Sequence, residues 1–303
     1  MIEIIEDVRP AAKSRLGFVW LEITGRCQLE CVHCYAESGP GGTHGTMTVT
    51  DWERIIDECV DLDVSMVQFI GGEPTLHPDL PALVGYALAR GLEVEVFTNL
   101  VHVSPAMWDT LDQPGVRLAC SWYSTDPAQH LQIVRRNTHP RTKANLVEAT
   151  RRGIPVRVGI IGMLDCQDLD AASAELAALG VTDVGVDHLR QVGRGTRDQE
   201  ASMAQLCGNC GDGVIAVGPD GAVWPCVFSR WTPVGNVQDA TLADILVGQP
   251  MQDIGAKLAE EFSPREMPCV PKMCNPQCGP SCSPACRPAN NCRPVGACVP
   301  GYR

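Results

Sequence analysis

The apolar positions of the chain fall into short runs separated by amphipathic segments. Residues 18–24 form the first run, and their aromatic and β-branched side chains predict a buried strand. The segment after it has helical spacing, and we expect Thr50 and Glu53 to cap that helix. Further strands are predicted, with helical segments interspersed, at 65–74, 92–100, 116–122, 154–164 and 181–189. This alternation predicts parallel strands joined by right-handed crossovers, in a doubly wound sheet or a partial (β/α) barrel.

Composition narrows the class of protein. A hydrophobic content of 45% and a charged content of 20% are ordinary for a soluble globular protein. The sequence has no apolar run of membrane-spanning length and no signal-peptide pattern at its start, so we expect a cytoplasmic protein with no membrane partner. The net charge of −12 argues against a surface that follows nucleic-acid phosphates, and we expect no nucleic-acid partner.

The number and distribution of the 16 cysteines are unusual for such a protein. A disulfide framework is not expected in a reducing compartment, where clustered cysteines indicate metal binding or catalysis. One group lies within 27–34 and a larger group within 207–298. Cys59 and Cys120 are expected to be buried apolar residues. Cys166 directly follows the fifth predicted strand, which makes it a tentative catalytic residue.

Other candidate residues follow the ends of the predicted strands. The carboxyl ends of parallel strands meet at one edge of a sheet or barrel, and ligands bind there. We therefore expect these residues to line one pocket together with the first cysteine group. They are Gly71, Gly72, Glu73, Asn99, Ser121, Arg190 and Val192.

The first cysteine group has the spacing Cys27-x3-Cys31-x2-Cys34. A structural zinc site is closed by four ligands, whereas this loop offers three thiolates. Three thiolates suit a 4Fe–4S cluster with one iron left open for a substrate or cofactor. Zinc and a disulfide are the alternatives for this loop.

With Tyr35 after the last cysteine, this loop resembles the signature of the radical S-adenosylmethionine (radical SAM) enzymes. Gly71-Gly72-Glu73 resembles the family motif that holds the methionine amine of SAM. The resemblance implies a partial (β/α)6 TIM-like barrel over 18–200, preceded by an N-terminal arm at 1–17. It implies that Cys27, Cys31 and Cys34 bind a cluster that cleaves SAM reductively to a 5′-deoxyadenosyl radical. The implied SAM contacts are Tyr35, Gly71, Gly72, Glu73, Asn99, Ser121, Arg190 and Val192.

The region 201–303 carries a second resemblance. Cys210-x10-Gly221-x4-Cys226 is similar to the start of the SPASM extension, which binds auxiliary 4Fe–4S clusters, and residues 214–226 predict its hairpin. The implied ligands of two auxiliary clusters are Cys207, Cys210, Cys226 and Cys282, and Cys269, Cys274, Cys278 and Cys298. The spacing of the second set departs from the family pattern, so Cys286 or Cys292 could replace a ligand. A disulfide knot or a zinc tract is the alternative for this tail.

The SPASM resemblance implies a peptide substrate, most simply a ribosomally made precursor peptide that undergoes net oxidation such as a crosslink. The arm before the first strand, about 17 residues long, is too short for a fused leader-binding domain, so a separate leader-peptide-binding protein is expected. An electron donor such as a flavodoxin or ferredoxin is a further expected partner. The alternatives are a peptide epimerase that uses Cys166 as hydrogen donor, a radical SAM dehydrogenase of small aminosugar-type molecules, and an iron–sulfur electron carrier.

Overall fold

A computed structural model describes residues 16–197 and 199–262. Within these residues nine strands form one sheet, in the order β6-β5-β4-β3-β2-β1-β7-β8-β9. The strands are β1 (Phe18–Thr24), β2 (Met66–Gly71), β3 (Glu93–Phe97), β4 (Val116–Trp122), β5 (Val156–Gly162), β6 (Asp183–His188), β7 (Val214–Val217), β8 (Ala222–Trp224) and β9 (Gly235–Asn236). Each strand from β1 to β6 pairs in parallel with the next, so the predicted parallel β/α unit is confirmed.

Among the described residues, six α-helices connect the parallel strands and two more follow β9. They are α1 (Val49–Asp61), α2 (Leu80–Ala89), α3 (Pro105–Leu111), α4 (Pro127–Val134), α5 (His139–Arg151), α6 (Leu169–Ala178), α7 (Leu242–Val247) and α8 (Gln249–Glu261). The prediction that Thr50 caps α1 is wrong. Thr48 is the cap, because its side chain accepts from the Asp51 N–H while the Asp51 carboxylate accepts from the Thr48 N–H.

The main hydrophobic core lies between the sheet and these helices. Leu21, Phe69, Leu118 and Ile160 contribute alternate positions of their strands to it, and all four are fully buried. Side chains on the opposite face of the strands, from Trp20 on β1 to Asp187 on β6, line one cavity. The sheet therefore curves around a space that opens at the carboxyl ends of its parallel strands.

The cysteine-rich extension continues the same sheet. β7 pairs in parallel with β1, and β8 returns antiparallel to β7 through a turn in which Gly221 has a φ of +81°. The predicted hairpin is therefore confirmed, but its pairing with β1 of the parallel sheet was not predicted. The division at 200 remains a prediction, and most of the predicted arm at 1–17 lies outside the described residues. So do the predicted ligands Cys269, Cys274, Cys278, Cys282 and Cys298, together with Cys286 and Cys292.

Candidate active site

A cavity of about 280 Å³ occupies the carboxyl-terminal end of the curved sheet. The predicted rim residues converge on it from five different loops or strand ends, as parallel pairing requires. Those that line it are Cys27, Cys31, Cys34, Tyr35, Gly71, Gly72, Asn99, Ser121, Arg190 and Val192. The predicted common pocket is therefore present, while the contact that each residue makes with a cofactor remains a prediction.

The three-cysteine loop between β1 and α1 is held from two sides. The Cys27 N–H donates to the Gly39 carbonyl at 3.0 Å. From the segment after β6, Arg194 donates through Nε to the Cys31 carbonyl at 2.8 Å and through Nη2 to the Ser38 carbonyl at 2.6 Å. The Arg194 N–H also donates to the Cys34 carbonyl at 3.0 Å. No motif in the sequence indicated that Arg194 would clamp this loop.

The sulfur of Cys27 lies among hydrogen-bond donors. The Leu29 N–H donates to Cys27 Sγ at 3.4 Å, and Asn99 Nδ2 donates to the same atom at 3.8 Å. Burial and the nearby Glu73 charge raise the pKa of the Cys27 thiol to about 12. A thiol in that setting keeps its proton unless a metal replaces it, and the N–H donors then stabilise the thiolate.

The loop after β2 approaches the cysteine loop through its backbone. The Gly72 N–H donates to the Thr24 carbonyl at 2.7 Å, and the Glu73 N–H donates to the Arg26 carbonyl at 2.9 Å. A Cβ atom at Gly72 would lie 2.3 Å from the Arg26 carbonyl oxygen, and one at Gly71, where φ is +143°, would lie 2.2 Å from that of Thr24. Both positions therefore require glycine.

Glu73 is almost fully buried but does not line the cavity. Its Oε1 accepts from the Thr75 N–H, the Thr75 hydroxyl and the Thr98 hydroxyl, and its Oε2 accepts from the Asn99 N–H at 2.8 Å. Burial raises the pKa of Glu73, and these hydrogen bonds oppose part of the rise. The carboxylate therefore joins the loops after β2 and β3, a role that the sequence did not indicate.

Tyr35 and Arg190 meet at a residue of the extension. The Tyr35 ring packs edge-on against Phe228 with centroids 5.4 Å apart, and the Arg190 guanidinium lies over the same ring at 4.9 Å. Phe228 and its neighbour Val227 line the cavity. The extension thus supplies part of the cavity wall, which sequence analysis missed because neither residue stands in a motif.

A second group of cysteines lies behind this wall. Cys207, Cys210 and Cys226 are all buried, Cys210 Sγ lies 3.0 Å from Cys226 Sγ, and Cys207 interacts with Cys210. The structure thus brings together the described members of the first predicted auxiliary set. Their fourth predicted ligand, Cys282, lies outside the described residues.

The scattered cysteines differ from one another. Cys59 and Cys120 are buried in the main core, as expected. Cys166 is exposed, does not line the cavity, and accepts from Gln129 Nε2 at 3.6 Å. Its position therefore gives no support to the tentative catalytic role.

The donor set at the cavity fits an iron–sulfur cluster better than a single ion. All nine described cysteines are free thiols. Across residues 16–197 and 199–262, no three His, Cys, Asp or Glu side chains are arranged to hold one metal ion. A cluster instead places each thiolate on a different iron, and the loop offers three such thiolates to one cavity.

Comparison with family models identifies the chain. The Radical SAM superfamily model matches residues 21–175, about half of the sequence. The chain belongs to the radical SAM superfamily. The SPASM model, described as an iron–sulfur cluster-binding domain, matches residues 207–283. Radical SAM and SPASM domains bind 4Fe–4S clusters, and SAM is the substrate-activating cofactor of the superfamily.

Among curated relatives, this radical SAM chain is similar to PqqA peptide cyclases. The one from Xanthomonas campestris pv. campestris (strain B100) is 29% identical over 188 residues, which are 61% of this chain and 50% of the relative. The one from Streptomyces rochei is 29% identical over 196 residues, which are 64% of this chain and 54% of the relative. The chain thus spans about half the length of the curated relatives it matches.

Solved structures agree on the fold. The crystal structure of Streptococcus suis SuiB bound to its precursor peptide SuiA has a TM-score of 0.68 at 15% identity, over 80% of this radical SAM chain and 67% of SuiB. Native anSMEcpe with bound AdoMet has a TM-score of 0.60 at 13% identity, over 78% of this chain and 82% of anSMEcpe. Within the described part of the chain, no helix combines the length and apolar character that a membrane crossing requires.

Proposed function

We propose that this radical SAM chain modifies a peptide, most simply a ribosomally made precursor, by net oxidation such as a crosslink. The observation that carries the proposal is the arrangement of two cysteine groups around one cavity. Cys27, Cys31 and Cys34 line it, and Cys207, Cys210 and Cys226 lie behind its Phe228 wall. The similarity to PqqA peptide cyclases and the SuiB fold support a peptide substrate.

A cluster held by Cys27, Cys31 and Cys34 would, with SAM, supply reductive cleavage and a radical able to take hydrogen from the substrate. The protein positions and shields this chemistry. Arg194 fixes the carbonyls of the cysteine loop, and Gly71 and Gly72 let the next loop approach it closely. We assign Gly71, Gly72, Asn99, Ser121, Arg190 and Val192 to SAM contacts, and Tyr35 to the wall behind them. Glu73 acts indirectly, by holding Asn99 in place.

The second cysteine group favours oxidation over a redox-neutral outcome. A crosslink removes two hydrogens from the peptide, one as an atom and the other as a proton and an electron. That electron needs an acceptor close to the cavity. We assign the Cys207, Cys210 and Cys226 group, with Cys282, to a cluster in this role, and the remaining tail cysteines to a second auxiliary cluster.

The proposal includes partners and a location. SAM cleavage consumes an electron, and we infer a donor such as a flavodoxin or ferredoxin. We infer a separate protein that binds the leader of the precursor peptide. The free thiols of all nine described cysteines support a reducing, cytoplasmic location.

The test uses the anaerobically reconstituted protein, SAM, dithionite and a synthetic peptide encoded by the adjoining open reading frame. We expect 5′-deoxyadenosine and a peptide product that has lost two hydrogens and resists fragmentation within the linked segment. The variant with Cys27, Cys31 and Cys34 all changed to Ala is the control. An unchanged peptide mass with solvent deuterium incorporated would indicate an epimerase. An unaltered peptide without deuterium, despite 5′-deoxyadenosine formation, would contradict a peptide substrate.

A further inference from the structure

Phe228 stands between the two cysteine groups. It follows Cys226 by two residues, and its ring lines the cavity that the cysteine loop faces. Two of its ring contacts belong to that cavity: the Tyr35 ring edge, one residue after Cys34, and the Arg190 guanidinium. Phe228, in the loop after Cys226, therefore contacts one residue of the three-cysteine loop and one residue of the segment after β6.

Arg190 is held at the cavity by contacts that include the Phe228 ring. Its side chain is 8% exposed, and it pairs with Asp187 on the same segment, Nη2 to Oδ2 at 3.3 Å. The Phe228 ring is a further contact of the guanidinium, with the ring centroid 4.9 Å away. The attraction between a cation and an aromatic face is stronger when the pair is shielded from water than when it lies at the surface.

The loop that carries Phe228 is stiff. The Cys226 N–H donates to Ser229 Oγ, and the Ser229 N–H donates back to the Cys226 carbonyl, at 3.0 and 3.1 Å. Arg230, which is half-buried, forms an ion pair with the buried Glu22 of β1 and stacks over Trp224 at 4.3 Å. A displacement of Cys226 is therefore transmitted to Phe228, because the turn between them is closed by hydrogen bonds and anchored to β1.

We propose that Phe228 is a positioning residue that couples the auxiliary cysteine site to SAM binding. The proposal rests on the proposed SAM site at Arg190. Cys226, held in its auxiliary site, fixes the loop; the loop holds Phe228 against Tyr35 and Arg190; and Arg190 is thereby oriented toward SAM. Because coupling between two sites is reciprocal, SAM binding also stabilises the auxiliary site.

The experiment measures SAM affinity by anaerobic equilibrium dialysis with labelled SAM and no reductant, so that no turnover occurs. Iron content and visible absorbance are recorded for every variant. Phe228→Leu keeps an apolar side chain but removes the aromatic face, and we expect affinity to fall roughly two- to thirtyfold. Phe228→Tyr keeps the face and is expected to stay within about twofold of the parent. Cys210→Ala, which disables the auxiliary site, should weaken SAM binding by a factor similar to that of Phe228→Leu.

Tyr86→Leu is the matched control, because it also removes a ring that carries an arginine, Arg90 at 5.0 Å, but on α2 and outside the cavity lining. It should leave SAM affinity within about twofold of the parent. A double-mutant cycle completes the test: in an Arg190→Lys background, Phe228→Leu should add little, since the planar cation is already lost.

Three results would overturn the inference: unchanged affinity in Phe228→Leu, an equal loss in Tyr86→Leu, or additive losses in the double variant. Unchanged SAM affinity in Cys210→Ala, with auxiliary iron lost, would remove the coupling to the auxiliary site. A parent protein with full iron content that binds no SAM would contradict the proposed function itself, which separates that failure from a failure of the Phe228 contact.

Discussion

The backbone N–H of Asn99, at the end of β3, donates a 2.8 Å hydrogen bond to the carboxylate of Glu73, which follows β2. The same carboxylate accepts three more hydrogen bonds from Thr75 and Thr98. Glu73 therefore joins two neighbouring loops of the cavity rim. We expect the loss of Glu73 to weaken SAM binding indirectly, because Asn99 would no longer be held in place.

Glu73→Ala should leave buried donors of Thr75, Thr98 and Asn99 without an acceptor. Each unsatisfied buried donor costs about 1–3 kcal/mol, so we expect the thermal midpoint to fall by roughly 5 °C or more. Circular dichroism of the SAM-free protein measures this, with Glu93→Ala, at the exposed start of β3, as the control. If Glu73→Ala weakened SAM binding without lowering the midpoint, the carboxylate would contact SAM directly.

We expect the three-cysteine loop to need Arg194 in order to retain its iron. Arg194→Ala removes the donors to the Cys31 and Ser38 carbonyls and frees the loop. We expect at least half of the iron at this site to be lost during gel filtration, as measured by electron paramagnetic resonance after reduction. Arg136→Ala is the control, because its ion pair with Glu30 on the same loop is exposed and worth little. Equal iron retention in both variants would contradict the clamp.

The convergence of the rim residues was predictable, because strand ends can be read from the apolar runs and parallel pairing brings them together. The bounds of β1 and β4 match the predicted runs. The cap of α1 was not predictable, since Thr48 with Asp51 and Thr50 with Glu53 both satisfy the capping pattern. Contacts that span the chain, such as Arg194 to Cys31 or Phe228 to Arg190, follow from tertiary packing and leave no local signal.

Acid should destabilise the protein through His130. Burial, assisted by the neighbouring His139, lowers the pKa of His130 from 6.5 to about 4. The unfolded state then binds more protons between these two values, so stability is complete above pH 6.5 and is lost as the pH falls toward 4. The expected contribution is about 2–3 kcal/mol.

His130→Gln, which can keep a hydrogen bond to Thr138, should reduce the pH dependence of the unfolding free energy in this window. Part of the dependence should remain, because burial also lowers the pKa of His33 to about 4. His102→Gln, at an exposed position, serves as the control and should retain the parent profile. A parallel decline of parent and His130→Gln with falling pH would show that His130 does not titrate as described.

Cys166→Ala should retain SAM cleavage and most product formation. Its thiol is exposed, contacts Gln129 and does not line the cavity, and an oxidative crosslink needs no hydrogen donor. Product and 5′-deoxyadenosine are quantified together by mass spectrometry. Loss of product with intact SAM cleavage would instead make Cys166 catalytic and favour epimerisation.

The central claim is that Cys27, Cys31 and Cys34 hold the cluster that cleaves SAM. The direct measurement is 5′-deoxyadenosine formation by the reconstituted protein with dithionite and SAM, compared between the parent and the variant with all three changed to Ala. We predict formation by the parent and none above background by the variant, while the variant retains iron bound by the auxiliary cysteines. Reductive cleavage of SAM by the triple variant would contradict the claim.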